Sequence, residues 1–216
     1  MTSSHDAHIR YAASFLLVAQ QIGKLFDEGG NSVVRSLEIL DLEWDNIQTG
    51  QAWVAQHYRE DTLAADICFQ YPVALGYTVL DLRQHPETQL VWNEAALGAS
   101  KFISKQDLQQ SDLVAQAQCL QNLGLIHFRL GQTNRSIQYF NESIKVFEQI
   151  DAFITSQIVR GNLGQVYVAQ GNYKMAVECY KQALMASRQL LLQAQNEEER
   201  RKALRSEAID LSRLGD

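Results

Sequence analysis

Cys119 and His127 are the first pair in this 216-residue sequence whose types could form a thiolate–imidazole couple. They stand eight residues apart in one helical pattern, too far along a helix for contact, at about 1.5 Å of rise per residue. His127 falls where an apolar or aromatic residue belongs, so it reads as a core histidine. Serine and histidine occur without a Gly-x-Ser-x-Gly elbow, and no Gly-x-x-x-x-Gly-Lys-Ser/Thr loop is present to cradle a nucleotide. Glu142 and Glu148 are single acids without a Glu-x-x-His partner. His5, His8, His57 and His85 show no metal spacing with Cys or carboxylates. His5 and His8 could share one helical face, at a terminus expected to fray. Cys68, Cys119 and Cys179 are an odd and widely spaced set, read as buried thiols and not a disulfide framework. No catalysis, no metal and no cofactor is expected. What stands out instead is an amide at a repeated place: Asn122 and Asn162 each precede a Leu-Gly pair. An amide side chain offers one acceptor and two donors, the complement of a peptide unit.

The elements that must position these residues are helices. Only 2 prolines and 12 glycines punctuate the chain, and 46% of it is hydrophobic, enough for a sizeable core but too few turns for an all-β fold. Ile9, Ala12, Leu16, Ala19, Gly23 and Phe26 form one stripe, widened by Phe15, Val18, Ile22 and Leu25. A helix this apolar on two sides needs more than one neighbour. Asp27-Glu28-Gly29-Gly30 ends it, and Asn31 or Ser32 suits the next N-cap. Val33, Leu37, Leu40, Trp44, Ile47, Gln51, Val54 and Tyr58 alternate by 4 and 3 residues, so they line one face of a second helix. The two should form a hairpin.

From Asp61 a repeat is visible. Leu75-Gly76 recurs as Leu123-Gly124 and Leu163-Gly164, at intervals of 48 and 40 residues. Aligned positions carry Val79, His127 and Tyr167, then Trp92, Phe140 and Tyr180, then Ala95, Ser143 and Ala183. Gly131 and Gly171 mark the turns of the second and third units, where the first has Arg83. A glycine at each helix crossing would permit close approach, with the aromatic filling the gap. Such a period, with two helices per unit, predicts an all-α solenoid of antiparallel helix pairs. The expected organisation is a helical hairpin over 1–60, three units over 61–195 and a capping helix over 196–216. In that last helix acids precede bases, as the helix dipole favours. Leu214-Gly215 could also open a fourth unit.

The third unit, GNLGQVYVAQGNYKMAVECYKQAL, resembles a tetratricopeptide repeat. QNLGLIHFRLGQTNRSIQYFNESI resembles it too, and YPVALGYTVLDLRQHPETQLVWNEAAL is a divergent relative. The long spacing is similar to that of the kinesin-light-chain and LGN-type subgroup. In that subgroup the Asn before Leu-Gly contacts the backbone of a bound extended peptide, which implies that role for Asn122 and Asn162. The hairpin segment SLEILDLEWDNIQTGQAWVAQ, through Leu37, Leu40, Glu43, Asn46, Ile47 and Trp53, resembles the segment leading into the repeats of STAND-family signalling NTPases. The resemblance implies a sensor arm or adaptor without the NTPase.

The concave face is expected to carry Gln70, Val73 and Tyr77 in the first unit and Gln118, Gln121, Asn122, Leu125 and Phe128 in the second. Ile158, Gly161, Asn162, Gln165 and Val168 follow in the third. The basic clamp of chaperone-binding repeats is missing from this set. With 24 glutamines in the chain, the groove reads as polar and weakly charged, with Tyr77, Leu125 and Phe128 as apolar anchors. The partner is therefore expected to be a protein or peptide. The net charge of −6 argues against nucleic acid, and residues 1–110 hold 7 basic against 14 acidic residues, an acidic surface or a docking face for a basic partner. No unbroken apolar run of about 18 residues suggests a membrane span. With no signal-peptide pattern at the N-terminus, a cytoplasmic location is expected. A self-assembling scaffold, as a homodimer through the apolar first helix or the solenoid ends, is one alternative. A small-molecule sensor is another.

Overall fold

The computed structural model describes residues 4–103 and 110–215. These residues are all-α and contain no strand. In chain order the helices are α1 (Ser4–Glu28), α2 (Asn31–His57), α3 (Thr62–Asp81), α4 (Pro86–Phe102), α5 (Gln110–Arg129), α6 (Thr133–Gln149), α7 (Phe153–Ala169), α8 (Tyr173–Gln193) and α9 (Glu197–Gly215). Consecutive helices pack as pairs, the arrangement of a helical solenoid. The chain divides into two compact units, Met1–Asn122 and Leu123–Asp216, with the boundary inside α5.

In the first unit α1 and α2 form the expected hairpin. The α1 stripe of Ile9, Ala12, Leu16, Ala19, Ile22 and Gly23 is buried, and α1 contacts both α2 and α3. That second neighbour is what a helix apolar on two sides requires. On α2 the regular face supplies Leu40, Ile47, Gln51 and Val54 to the interior. The cap of α2 differs from expectation. Gly30, at φ 56°, takes the N-cap place, and no side chain bonds there. Paired positive-φ glycines already turn the chain, so the helix begins one residue early at Asn31. Asp61 caps α3 through Oδ1, which accepts from Leu63 N (2.7 Å) and Ala64 N (3.2 Å).

By length and composition alone α3 is apolar enough to cross a membrane, although polar residues interrupt its apolar run. In the structure it is the core helix of the first unit. Ile67, Cys68, Phe69, Tyr71, Leu75 and Val79 are buried, and Tyr71 Oη donates to the Ala12 carbonyl on α1 at 2.8 Å. Gly76 overturns one expectation. It sits at φ 69°, ψ 163°, a kink within α3, and a Cβ there would meet nothing within 4 Å. It is a bend and not a crossing glycine, so the first Leu-Gly pair matches the other two in sequence but not in role.

Those other two behave as expected. A Cβ on Gly124 would lie 2.9 Å from the Phe140 ring, and one on Gly164 would lie 2.5 Å from the Tyr180 ring. Phe140, Ser143, Tyr180 and Ala183 are buried. Ser136 Oγ on α6 donates to the Gly124 carbonyl at 2.7 Å, fixing α6 against α5. Gly131 and Gly171 hold φ of 71° and 73°, the left-handed turn that only glycine adopts without strain. His127 is buried, stacks on Tyr139 at 5.1 Å between ring centroids and lies 2.8 Å from Gln132 Oε1 through Nδ1. It is the core histidine anticipated. At the end of the unit α9 packs on α8, as α7 packs on α6.

All three thiols are buried and free. Burial pushes Cys68 and Cys119 up to about 12; it raises Cys179 as well, with Arg160 opposing. Alkylation of the native protein at pH 8 should therefore be slow. A thiol moved from 9.0 to about 12 holds roughly a thousandfold less thiolate. Mass spectrometry should show Cys179 labelled first and all three labelled promptly in denaturant; equal native rates would contradict this burial order.

Candidate functional site

In the first unit one expected groove residue of α3, Gln70, meets α1. Gln20 Nε2 donates to Gln70 Oε1 at 3.3 Å, and Val73 packs against the core. Gly23 permits this contact, since a Cβ there would stand 2.0 Å from the Ala74 carbonyl oxygen. α1 thus lies along a face that sequence reasoning had assigned to a ligand, because its own apolar stripe needs cover. Tyr77 is half-buried. On α5 Gln118 is exposed, Gln121 is half-buried and Asn122 is buried at 8% exposure.

In the second unit Leu125 and Phe128 on α5 are half-buried, as are Ile158, Asn162 and Gln165 on α7, and Val168 is exposed. So the two matching asparagines differ in environment. α9 comes close to the α7 face. With its amide oxygen turned towards α9, Gln165 accepts from Arg213 Nε (3.3 Å) and Nη2 (2.9 Å). A Cβ on Gly161 would meet Arg213 Nη1 at 2.9 Å and Ala183 Cβ at 3.2 Å. Arg213 also lies over the Tyr180 ring at 5.9 Å and pairs with Asp210 at 3.5 Å. Asp210 is buried and accepts from Ser187 Oγ at 2.6 Å, which in turn bonds Ser206 at 2.9 Å. Neither the aspartate nor this network was anticipated. Its only sequence signal is a lone acid at the fourth place before a Leu-Gly pair.

Beside Ile158 a cleft of about 470 Å³ opens between α7, the end of α8 and α9, lined by Leu190, Ala194, Lys202, Ala203 and Ser206. Ile158, Leu190, Ala194 and Ala203 supply aliphatic wall, and Gln193, Glu199, Lys202 and Ser206 bring an amide, a carboxylate, an ammonium and a hydroxyl to it. That lining suits an apolar side chain of a larger ligand. A second, smaller recess holds Arg160, whose Nη2 donates to Glu148 Oε1 at 2.7 Å, with Phe153 and Met185 exposed at its edge. Among the described residues no group of three or more His, Cys, Asp or Glu could hold a metal ion.

The repeat geometry of the second unit, with a crossing glycine under an aromatic, a positive-φ turn and a small residue late in the second helix, is matched by sequence comparison. Residues 117–149 match one tetratricopeptide repeat family and residues 159–186 match another. Over these two stretches the chain is similar to tetratricopeptide repeats. Neither match covers the α3–α4 pair, where Gly76 has its different role. Among curated proteins none matches the chain. Tetratricopeptide repeats generally mediate protein–protein interaction and typically act as non-catalytic scaffolds.

Proposed function

We propose that the chain is a non-catalytic adaptor or sensor arm of a cytoplasmic signalling system, and that it binds an extended peptide segment of a partner protein. The observation that carries this reading is Asn162. It is half-buried on α7, at the place that contacts the peptide backbone in similar repeats, and the Ile158 cleft lies on the same helix. An amide one helical turn from the Ile158 cleft would supply a backbone hydrogen bond, and the cleft an anchor for a side chain.

The test is selection of a displayed peptide library on the intact chain, followed by affinity measurement with two single variants. Asn162→Ala should weaken the selected peptides about tenfold, the effect of one well-placed hydrogen bond, and leave the melting temperature within about a degree. Asn122→Ala should do the opposite and destabilise the fold by about 1 kcal/mol, because its side chain is buried. Peptides held equally by the wild type and Asn162→Ala would remove α7 from the binding surface. The Ile158 cleft also supports a small-molecule reading, and a ligand screen by melting temperature distinguishes it.

A further inference from the structure

Of the 19 residues of α9 only Ala203 and Asp210 are buried, whereas α8, on which it packs, buries seven of its 21. Its hold on the second unit is correspondingly polar. Asp210 and Ser206 share the Ser187 hydroxyl of α8 at 2.6 and 2.9 Å, and Glu207 accepts from Arg188 Nε at 2.9 Å. Arg213 reaches Gln165 on α7. A helix with so little apolar burial opens at a lower free energy than the helices it covers. Yet α9 supplies four of the eight residues that line the Ile158 cleft: Glu199, Lys202, Ala203 and Ser206. Ser206 therefore belongs both to the cleft wall and to the network that holds the helix.

The polar groups that α9 brings to the cleft are already engaged within the chain. Both carboxylate oxygens of Glu199 accept, from Gln195 N at 2.7 Å and from Asn196 Nδ2 at 2.9 Å. Lys202 Nζ pairs with Glu198 at 2.7 Å, and Ser206 is bonded to Ser187. A charged ligand group entering here would lose water and meet no unmatched charge in exchange. An aliphatic or aromatic side chain gains contact with Ile158, Leu190, Ala194 and Ala203 instead.

Resting on the peptide-binding reading above, we propose that α9 is the detachable wall of an anchor site for one uncharged, apolar side chain of the partner peptide. The site exists only while α9 is docked, so filling the cleft and docking the helix strengthen each other. A ligand that binds only the docked state must favour docking by mass action, and by the same linkage anything that loosens α9 must weaken the ligand. Asp210 is then a positioning residue. It lines no part of the cleft, but through Ser187 it holds Ser206, which does.

The probe is phenylnaphthylamine, a neutral aromatic dye whose emission rises in apolar surroundings, added to the full chain. It should bind saturably, and Ile158→Ser should weaken it at least about threefold through the lost aliphatic wall. With the dye at ten times its Kd, the opening constant of α9 in amide exchange should fall about tenfold, the factor 1 + [L]/Kd. Exchange in α5 and α6 should not change. Asp210→Ala should weaken the dye at least about threefold, because less of the protein is in the docked state. The Ser187 and Ser206 hydroxyls are 2.9 Å apart, so cysteines at both positions are placed to form a disulfide. Closing it in D210A/S187C/S206C should restore dye binding, and reducing it should abolish the rescue. Unchanged α9 exchange at saturating dye, no saturable binding, equal binding by Ile158→Ser, or a loss that the disulfide does not restore would overturn the proposal. If the D210A variants unfold, wild-type exchange with and without dye decides alone. Peptides from the selection separate the two readings. They should share an apolar residue that neither aspartate nor lysine can replace. Peptides weakened by Asn162→Ala but held equally by wild type and Asp210→Ala would overturn the α9 coupling and leave peptide binding standing. Dye coupling with no selected peptide would support the α9 wall and make its occupant a small apolar molecule.

Discussion

Gly23→Ala should destabilise the first unit by about 2 kcal/mol, even though alanine is the better helix former. The helix-propensity gain is up to about 1 kcal/mol. Against it stands a Cβ placed 2.0 Å from the Ala74 carbonyl oxygen, an atom of the α3 backbone that no rotamer change can move. Forcing such an overlap costs about 1–3 kcal/mol, with backbone obstacles at the upper end. α1 must then shift off α3, and the Tyr71 bond to Ala12 stretches with it. Thermal melting followed by circular dichroism, with amide exchange of α1 and α3, reads the loss. Gly98→Ala is the control. Its nearest obstacle is the hydroxyl tip of the half-buried Tyr58, which can swing aside, so a change within about 1 kcal/mol is expected. Equal effects of the two substitutions would mean that α1 and α3 are not in this close contact.

Asp210→Ala should release α9 from the second unit, at a cost of about 2–3 kcal/mol. The carboxylate is buried and serves Ser187 and Arg213 together. Removing it takes the carboxylate acceptor from a buried hydroxyl, leaving that hydroxyl only Ser206, and from a guanidinium, one-fifth exposed, that keeps Gln165 and the Tyr180 ring. The penalty arises from the weakened pairing of these partners and from the cavity the carboxylate leaves. Limited proteolysis should then cut between α8 and α9, and exchange in α9 should rise while α5 to α7 stay protected. Asp210→Asn keeps an acceptor for Ser187 and should lose about half as much. Full protection of α9 in the alanine variant would show that apolar packing through Ala203 is sufficient to hold it.

Much of the fold was legible because helical periodicity and turn glycines are local signals. The α1 and α2 faces, the Gly131 and Gly171 turns, and the crossing glycines under Phe140 and Tyr180 all follow from spacing and residue size. The candidate site was only partly legible. Asn122 and Asn162 occupy one repeat position, but the first is buried and the second half-buried, and a repeat position by itself does not set how much of a side chain its tertiary neighbours cover. Gln70 meets α1, and Gln165 meets Arg213, because α1 and α9 stand outside the repeat register.

Local pattern, then, was enough for the helices, the hairpin and the two stretches that match tetratricopeptide repeats, since each depends on contacts within a few tens of residues. Three things depended on tertiary packing. Gly76 became a bend, because nothing crosses α3 at that place. The α3 face came to lie against α1, because a two-sided apolar helix must be covered twice. His5, His8, His57 and Asp61 became one cluster around Trp53, because folding the hairpin onto α3 brings together residues up to 56 apart, and no spacing rule along the chain records that distance.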